Sequence, residues 1–429
     1  MINNIFVVGL DDLNEAVLRR LPGASQYSFH KLLGVEVLLA PDRNFLDLLA
    51  AARHQLETFE GSIDAIVGYW DFPTSMMVPI LCGEYGLASA SLRSVVACEH
   101  KYWSRLEQQK VTTEIPAFGL LDESGPVPRL PENVQFPVWI KPVKSVSSEG
   151  AFYVADAVAL TTCLELLQQA NERIAKPFED VLAMLDLPPE VAAAGAGGCI
   201  VEEPARGRQF TVEGVVRTDE VTVYGVVDSV CFPASSSFLR YQYPSALPAS
   251  VLDRATDVTE RVVPAMGLQH TTFNIEYFWD PDTDLLRLLE INVRHSQSHA
   301  LLFEKVDGVA NHVHMIDVAL GRQSHPVQAE GSCAVAAKWF LRHFSDGIVR
   351  RAPTDGEVAA LEDAFPGTVI KIEAYAGDRL ARFVGEDSYS YVLALIFTGG
   401  RTEADLQRVY DACVAALPFD IDSVPDSHL

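Results

Sequence analysis

Cations are scarce in this chain of 429 residues: 33 lysines and arginines stand against 58 aspartates and glutamates, a net charge of −25. Nucleic acid and anionic membrane surfaces are bound by basic patches, so neither is an expected partner. A single nucleotide needs only a few local cations and is not excluded. The seven cysteines (82, 98, 163, 199, 231, 333 and 413) show no C-x-x-C pair and no Cys/His metal spacing. That sets aside a disulfide scaffold and a zinc site, and it fits buried thiols in a reducing, cytosolic compartment. No apolar run approaches bilayer length. The opening MINNIFVVGLDDLNEAVLRR has neither the basic region nor the core of a signal peptide. Gly9 ends the first apolar run, yet no G-x-G-x-x-G follows, so dinucleotide binding is not expected there. No repeat of solenoid period is present.

What remains is an ordinary globular composition, 48% hydrophobic and 21% charged, in a chain long enough for two or three cores. Its most informative stretch lies near residue 280. Two runs rich in β-branched, aromatic and aliphatic residues, 271–279 and 285–291, flank the polar turn Asp280-Pro281-Asp282-Thr283-Asp284, a hairpin signal. Side chains alternate between the faces of a strand. Asn274 and Glu276 therefore share one face, as do Leu288, Glu290 and Asn292, and a turn of this length brings Glu276 opposite Leu288 or Glu290. Two carboxylates meeting on apolar strands repel unless a cation compensates. Mg²⁺, with oxygen ligands in octahedral geometry and positions left for water and phosphate, suits them. Two solvated residues on an outer sheet face are the plain alternative. The order Glu290, Asn292, Arg294 favours the metal, since it supplies carboxylate, amide and guanidinium at i, i+2 and i+4.

A Glu, then Glu-x-Asn-x-Arg after a hairpin, resembles the metal-binding signature of the ATP-grasp superfamily. The run from Glu290 through Arg294 to His299 is also similar to the biotin-carboxylase version, with one departure. Biotin carboxylases carry a Glu just before that His to activate bicarbonate, and Ser298 stands there in this chain, which argues against carboxylation of biotin. The resemblance implies ATP with Mg²⁺ (Mn²⁺ as a substitute), metal ligands Glu276, Glu290 and Asn292, and Arg294 on the reacting acyl phosphate. His295, Ser296 and His299 would then face the reacting carboxylate.

Further segments fit the same pattern. A lone lysine on a helix is usually solvated, but Lys101, expected mid-helix over 93–109, falls where the superfamily places a phosphate-binding lysine. The run PVWIKP ends a strand with Lys141-Pro142. A loop of small residues follows, including Ser147, Ser148, Glu149 and Gly150. Its backbone amides can cap phosphates; taken alone, it also reads as a surface hairpin. The run Glu202-Glu203-Pro204-Ala205-Arg206-Gly207-Arg208-Gln209 closely resembles the hinge of D-alanine–D-alanine ligases. On that likeness Glu202 accepts from the adenine amino group and the backbone around Glu203 and Ala205 reads the ring edge, because Pro204 has no N–H. Gln209 stands where the family has a ribose-binding Glu; an amide can still bond a sugar hydroxyl. Glu213, on the strand beyond, is positioned to line the site. His312 and His314, at i and i+2, lie on different helix faces and are not read as a zinc motif.

The expected fold is α/β and α+β, an ATP-grasp fold in three parts. Residues 1–98 form an α/β unit of alternating strands (2–10, 34–39, 63–69) and helices (12–21, 44–60, 75–85). Residues 99–325 form the ATP-grasp core, with about 115–205 as its lid and helices over 161–174, 179–185, 253–266 and 300–320. Residues 326–429 form a β-rich unit similar to the C-terminal domain of L-amino acid ligases, with strands at 334–341, 347–350, 369–374, 382–384 and 391–398. The implied function is ATP-dependent joining of a carboxylate, as of an amino acid, to an amine through an acyl phosphate, with Arg294 and Lys141 catalytic. The partners are small molecules. Homodimers are common in the superfamily, so a second copy is the one protein partner suggested. The alternatives are a bicarbonate-activating carboxylase and a nucleotide binder without turnover.

Overall fold

The computed structural model describes residues 2–38, 40, 44–125, 128–145, 150–218, 220–233, 235–323, 330–383 and 390–424. Four sheets organise them. Near the N-terminus three parallel strands lie in the order Tyr27–Leu32, Asn3–Val8, Ala65–Gly68, with helices Asp12–Leu18 and Phe45–Glu57 in the connections and Thr74–Tyr85 after the last strand. The second strand is not the expected 34–39. Tyr27–Leu32 takes the place beside Asn3–Val8, register Asn3 to Tyr27, and the apolar residues that follow coil into the short helix Val35–Leu38, whose Leu38 is buried. Tertiary pairing overrides the strand preference of that run.

The segment expected as the lid holds a four-stranded antiparallel sheet in the order Phe118–Leu120, Cys199–Glu202, Val138–Pro142, Phe152–Val154. One helix, Ala157–Leu182, replaces the two expected over 161–185 and carries Pro177 within it. It is anchored at both ends: Leu160, Cys163 and Leu167 bury in the lid core, Phe178, Val181 and Leu182 in the main core. A further short helix, Pro189–Ala194, follows it.

An eight-stranded sheet forms the body, in the order Leu285–Asn292, Thr271–Asp280, Arg208–Arg217, Glu220–Cys231, Phe238–Tyr243, Val335–His343, Tyr391–Gly400, Val369–Ile372. It joins strands from both sides of the expected boundary between core and C-terminal unit, because Val335–His343 pairs with Phe238–Tyr243. The last three strands belong to the segment expected as a separate β-rich unit. Of the strand expected at 382–384, Arg382 instead ends a 3₁₀ turn, Leu380–Arg382, and residue 384 lies outside the described residues. The single helix expected over 300–320 is two, Ala300–Asp307 and His312–Ala319, divided at Gly308, whose φ of 77° belongs to the left-handed region. Among the described residues no helix is long and apolar enough to cross a membrane.

Candidate active site

The hairpin forms as its alternation dictates. Strands Thr271–Asp280 and Leu285–Asn292 pair with Glu276 opposite Glu290 and Asn274 opposite Asn292. A register shift between Glu276 and Tyr277 sets Glu290, not Leu288, across from Glu276. The Asn292 amide donates to Asn274 Oδ1 at 3.0 Å, which leaves its carbonyl oxygen for another partner. Burial and the facing Glu290 raise the proton affinity of Glu276. Burial also disfavours charge on Glu290, but Lys101 and Lys141 outweigh it and lower its pKa. An all-oxygen set of two carboxylates and an amide, one carboxylate reluctant to ionise, is the donor chemistry that Mg²⁺ suits. Gln209, expected on ribose, donates instead to Glu276 Oε2 at 2.8 Å and fixes that carboxylate.

Lys101 is not mid-helix. The helix expected over 93–109 breaks at His100, whose extended backbone ends Leu92–Glu99 and whose ring accepts from Trp103 N to cap Lys101–Gln108. Lys101 thus opens the second helix. Its ammonium donates to Glu290 Oε2 at 3.0 Å and to Ser145 O at 3.2 Å, and its backbone amide donates to Val143 O. The beginning of the loop is thereby tied to the metal hairpin. Lys144 on that loop is buried and pairs with Glu99 at 2.5 Å. Gly150 is buried with φ of 67°; Ser147, Ser148 and Glu149 lie outside the described residues.

At the hinge, Glu202 is 3% exposed and both its oxygens are taken: Oε1 by Arg105 Nε and Oε2 by Lys141 Nζ, each at 2.6 Å. Burial alone would raise its pKa, but the two cations hold it down at about 2. Arg105 also donates to Leu289 O at 2.6 Å on the metal hairpin. Glu202, expected as an open acceptor for adenine, is therefore the centre of a buried triad that joins lid to body. Glu203 is exposed and its backbone amide donates to Ala117 O, while Ala205 is half-buried in the connection.

Arg294 follows the metal strand, with Nε and an Nη donating to the two oxygens of Asp71 at 2.7 and 2.8 Å. The segment after it is shaped from behind. Glu213 is fully buried and accepts from Ser296 N at 3.1 Å, His299 Nδ1 at 2.8 Å and Tyr224 OH at 2.8 Å. His295 is equally buried, and its Nε2 lies 2.7 Å from His312 Nδ1, whose other ring nitrogen meets Asn14 Oδ1 at 2.9 Å. Glu213 and His295, expected against substrate, have their side-chain polar atoms engaged internally, and His299 commits its Nδ1 to Glu213; Ser296 is only half-buried. Sequence reasoning passed over Asp71, Arg105 and Lys338. Arg105 stands four residues after Lys101, on the same helical face. Lys338, a buried cation in the strand Val335–His343, donates to Ser298 Oγ at 2.9 Å.

No family model matches the chain. It is 22% identical over 418 residues, 91% of this chain and 79% of the other, to an uncharacterised protein, y4rH, of Sinorhizobium fredii. Among solved structures it is similar to L-amino acid ligase from Bacillus licheniformis, with a TM-score of 0.71, 13% identity and coverage of 97% of this chain and 98% of that one. It is similar also to phosphoribosylglycinamide synthetase from Anaerococcus prevotii (TM-score 0.63, 12% identity, 98% and 100% covered). Biotin carboxylase from Campylobacter jejuni is a further neighbour (TM-score 0.61, 14% identity, 99% and 93% covered). Near-complete coverage in both directions, over a hairpin that sets Glu276 against Glu290, establishes that this chain has the ATP-grasp fold.

Proposed function

We propose that the protein is an ATP-dependent carboxylate–amine ligase that activates the carboxylate, as of an amino acid, as an acyl phosphate. The observation that carries this reading is the convergence on one strand end of the Glu276–Glu290–Asn292 oxygen set, the Lys101 ammonium and the Arg294 fork. Glu276, Glu290 and Asn292 would hold Mg²⁺, which when bound neutralises phosphate charge. Lys101, half-committed to Glu290, offers its ammonium to the phosphates, and Arg294 orients the carboxylate and steadies the oxyanion at the carbonyl carbon. A carboxylate oxygen attacks the γ-phosphorus and ADP leaves. The amine nitrogen then attacks the acyl carbon, and phosphate departs with that oxygen. The similarity to an L-amino acid ligase over nearly the whole chain supports the substrate class. Ser298, engaged by Lys338, stands where a bicarbonate-activating glutamate would.

Phosphate release from MgATP, measured across amino acids and small carboxylates, tests the reading. Release should require a particular carboxylate, and Glu290→Gln should abolish it, by roughly a thousandfold if the metal contributes several kcal/mol. Release dependent on bicarbonate alone, or nucleotide binding with no release from any acid, would overturn it.

A further inference from the structure

Arg294 and Asp71 are 223 residues apart in sequence, and their contact sets a second carboxylate on the guanidinium that the proposed chemistry needs. Asp71 lies on the loop between strand Ala65–Gly68 of the N-terminal sheet and helix Thr74–Tyr85. It takes the Arg294 fork side-on with both oxygens, the geometry with which an arginine binds any carboxylate or phosphate. Among the described residues the other side-chain hydrogen bond of Arg294 is a long one to His295 O at 3.4 Å. The Asp71 side chain is 36% exposed and that of Arg294 is 16% exposed, so solvent, and any anion arriving through it, reaches the pair. Among the described residues the Asp71 carboxylate accepts from Arg294 alone. Letting go leaves a water-exposed carboxylate and not a buried one, which is inexpensive.

We infer that Asp71 is an internal occupant of the anion clamp: it holds Arg294 in place and yields it when the substrate's carboxylate or phosphoryl group competes for the same fork. The inference rests on the ligase reading for the identity of the competing anion. It makes Asp71 a positioning residue that acts through Arg294 and sets a threshold for substrates: an entering group must be a better bidentate partner than a half-exposed aspartate. Apparent affinity for such a group falls by the fraction of time the clamp is open.

Inorganic phosphate in the presence of MgADP is the probe, with binding followed by calorimetry on the full chain, so that the test does not depend on turnover. If Asp71 occupies Arg294 about nine-tenths of the time, Asp71→Asn and Asp71→Ala should bind phosphate about tenfold more tightly than the parent protein. Arg294→Lys should lose most of that gain in either background. Thermal melting identifies whichever aspartate variant is folded, and that one is read. Equal or weaker phosphate binding in the Asp71 variants would overturn the inference, as would a gain that survives Arg294→Lys or the absence of phosphate binding throughout. The ligase reading is judged separately, by carboxylate-dependent phosphate release, so either can fail alone.

Discussion

The molecule carries two arginine–carboxylate pairs at the two ends of one site, and exposure separates them. Arg105 and Glu202 are almost wholly inaccessible, joined by Lys141 and tied to the metal hairpin through Leu289 O. Arg294 and Asp71 have the same chemistry but face solvent, with Asp71 held from one side only. A buried pair cannot release one member without stranding a charge, so it serves as structure; a half-exposed pair can exchange partners. The first clasps lid to body. The second is the one we propose takes part in the chemistry.

The sharpest way to test that division is to remove one arginine from each pair. Arg294→Lys keeps the charge but loses the planar fork. It should cut kcat by about a hundredfold or more, as loss of an oxyanion donor does, while unfolding stability changes by about 1 kcal/mol or less. Arg105→Met should do the reverse in kind. It leaves Glu202 with one cation of two and should cost roughly 3 kcal/mol in urea unfolding, toward the lower end for a broken buried pair. Similar stability losses in both variants would erase the distinction.

A smaller effect is expected at Gln209. Its bond to Glu276 Oε2 supports a proposed metal ligand, and such supports are worth about ten- to a hundredfold in metal affinity. Gln209→Ala should raise the Mg²⁺ concentration needed for half-maximal turnover by about tenfold. A raised KM for ATP at saturating Mg²⁺, with the metal requirement unchanged, would return Gln209 to the ribose role suggested by its position in the hinge.

The hinge also has a pH signature. Glu202 is held at about 2, below its ordinary 4.5, so its stabilisation is full above 4.5 and is lost as the pH falls toward 2. His100, buried and pushed down to about 4 from 6.5, stays neutral in the fold. Its contribution is full above 6.5 and is lost on the way down to 4; His314, also at about 4, acts in the same direction. Glu276, raised to about 7, contributes in the opposite direction between 7 and 4.5, so the His contribution is read as a difference: between pH 6.5 and 4 the urea midpoint of the parent should fall more steeply than that of His100→Gln. Parallel profiles of the two proteins across that range would contradict the burial of the His100 ring.

How much of this could be read in the chain varied with the range of the interactions. The pairing of the hairpin was legible because strand alternation and a short turn fix which residues meet; Glu276 and Glu290 needed no partner from elsewhere. Tertiary decisions were hidden. Tyr27–Leu32 won the sheet edge over a more apolar neighbour, His100 broke a helix by turning its own ring into a cap, and Pro177 was carried inside a helix buried at both ends. At the site, Lys101 and Arg294 could be nominated, but not what they touch. Asp71 is an unremarkable loop aspartate until the N-terminal sheet brings it against Arg294, and Glu202 is two charges at a strand end until Arg105 and Lys141 close on it.

The most direct test of the central claim follows one oxygen. The enzyme is supplied with MgATP, an amine-bearing amino acid mixture labelled with ¹⁸O in its carboxylates, and unlabelled water, and the released phosphate is analysed by mass spectrometry. Acyl-phosphate chemistry at Arg294 predicts phosphate carrying one ¹⁸O for each amide bond formed. Unlabelled phosphate accompanying product, or labelled acid consumed with release of AMP and pyrophosphate, would contradict the account.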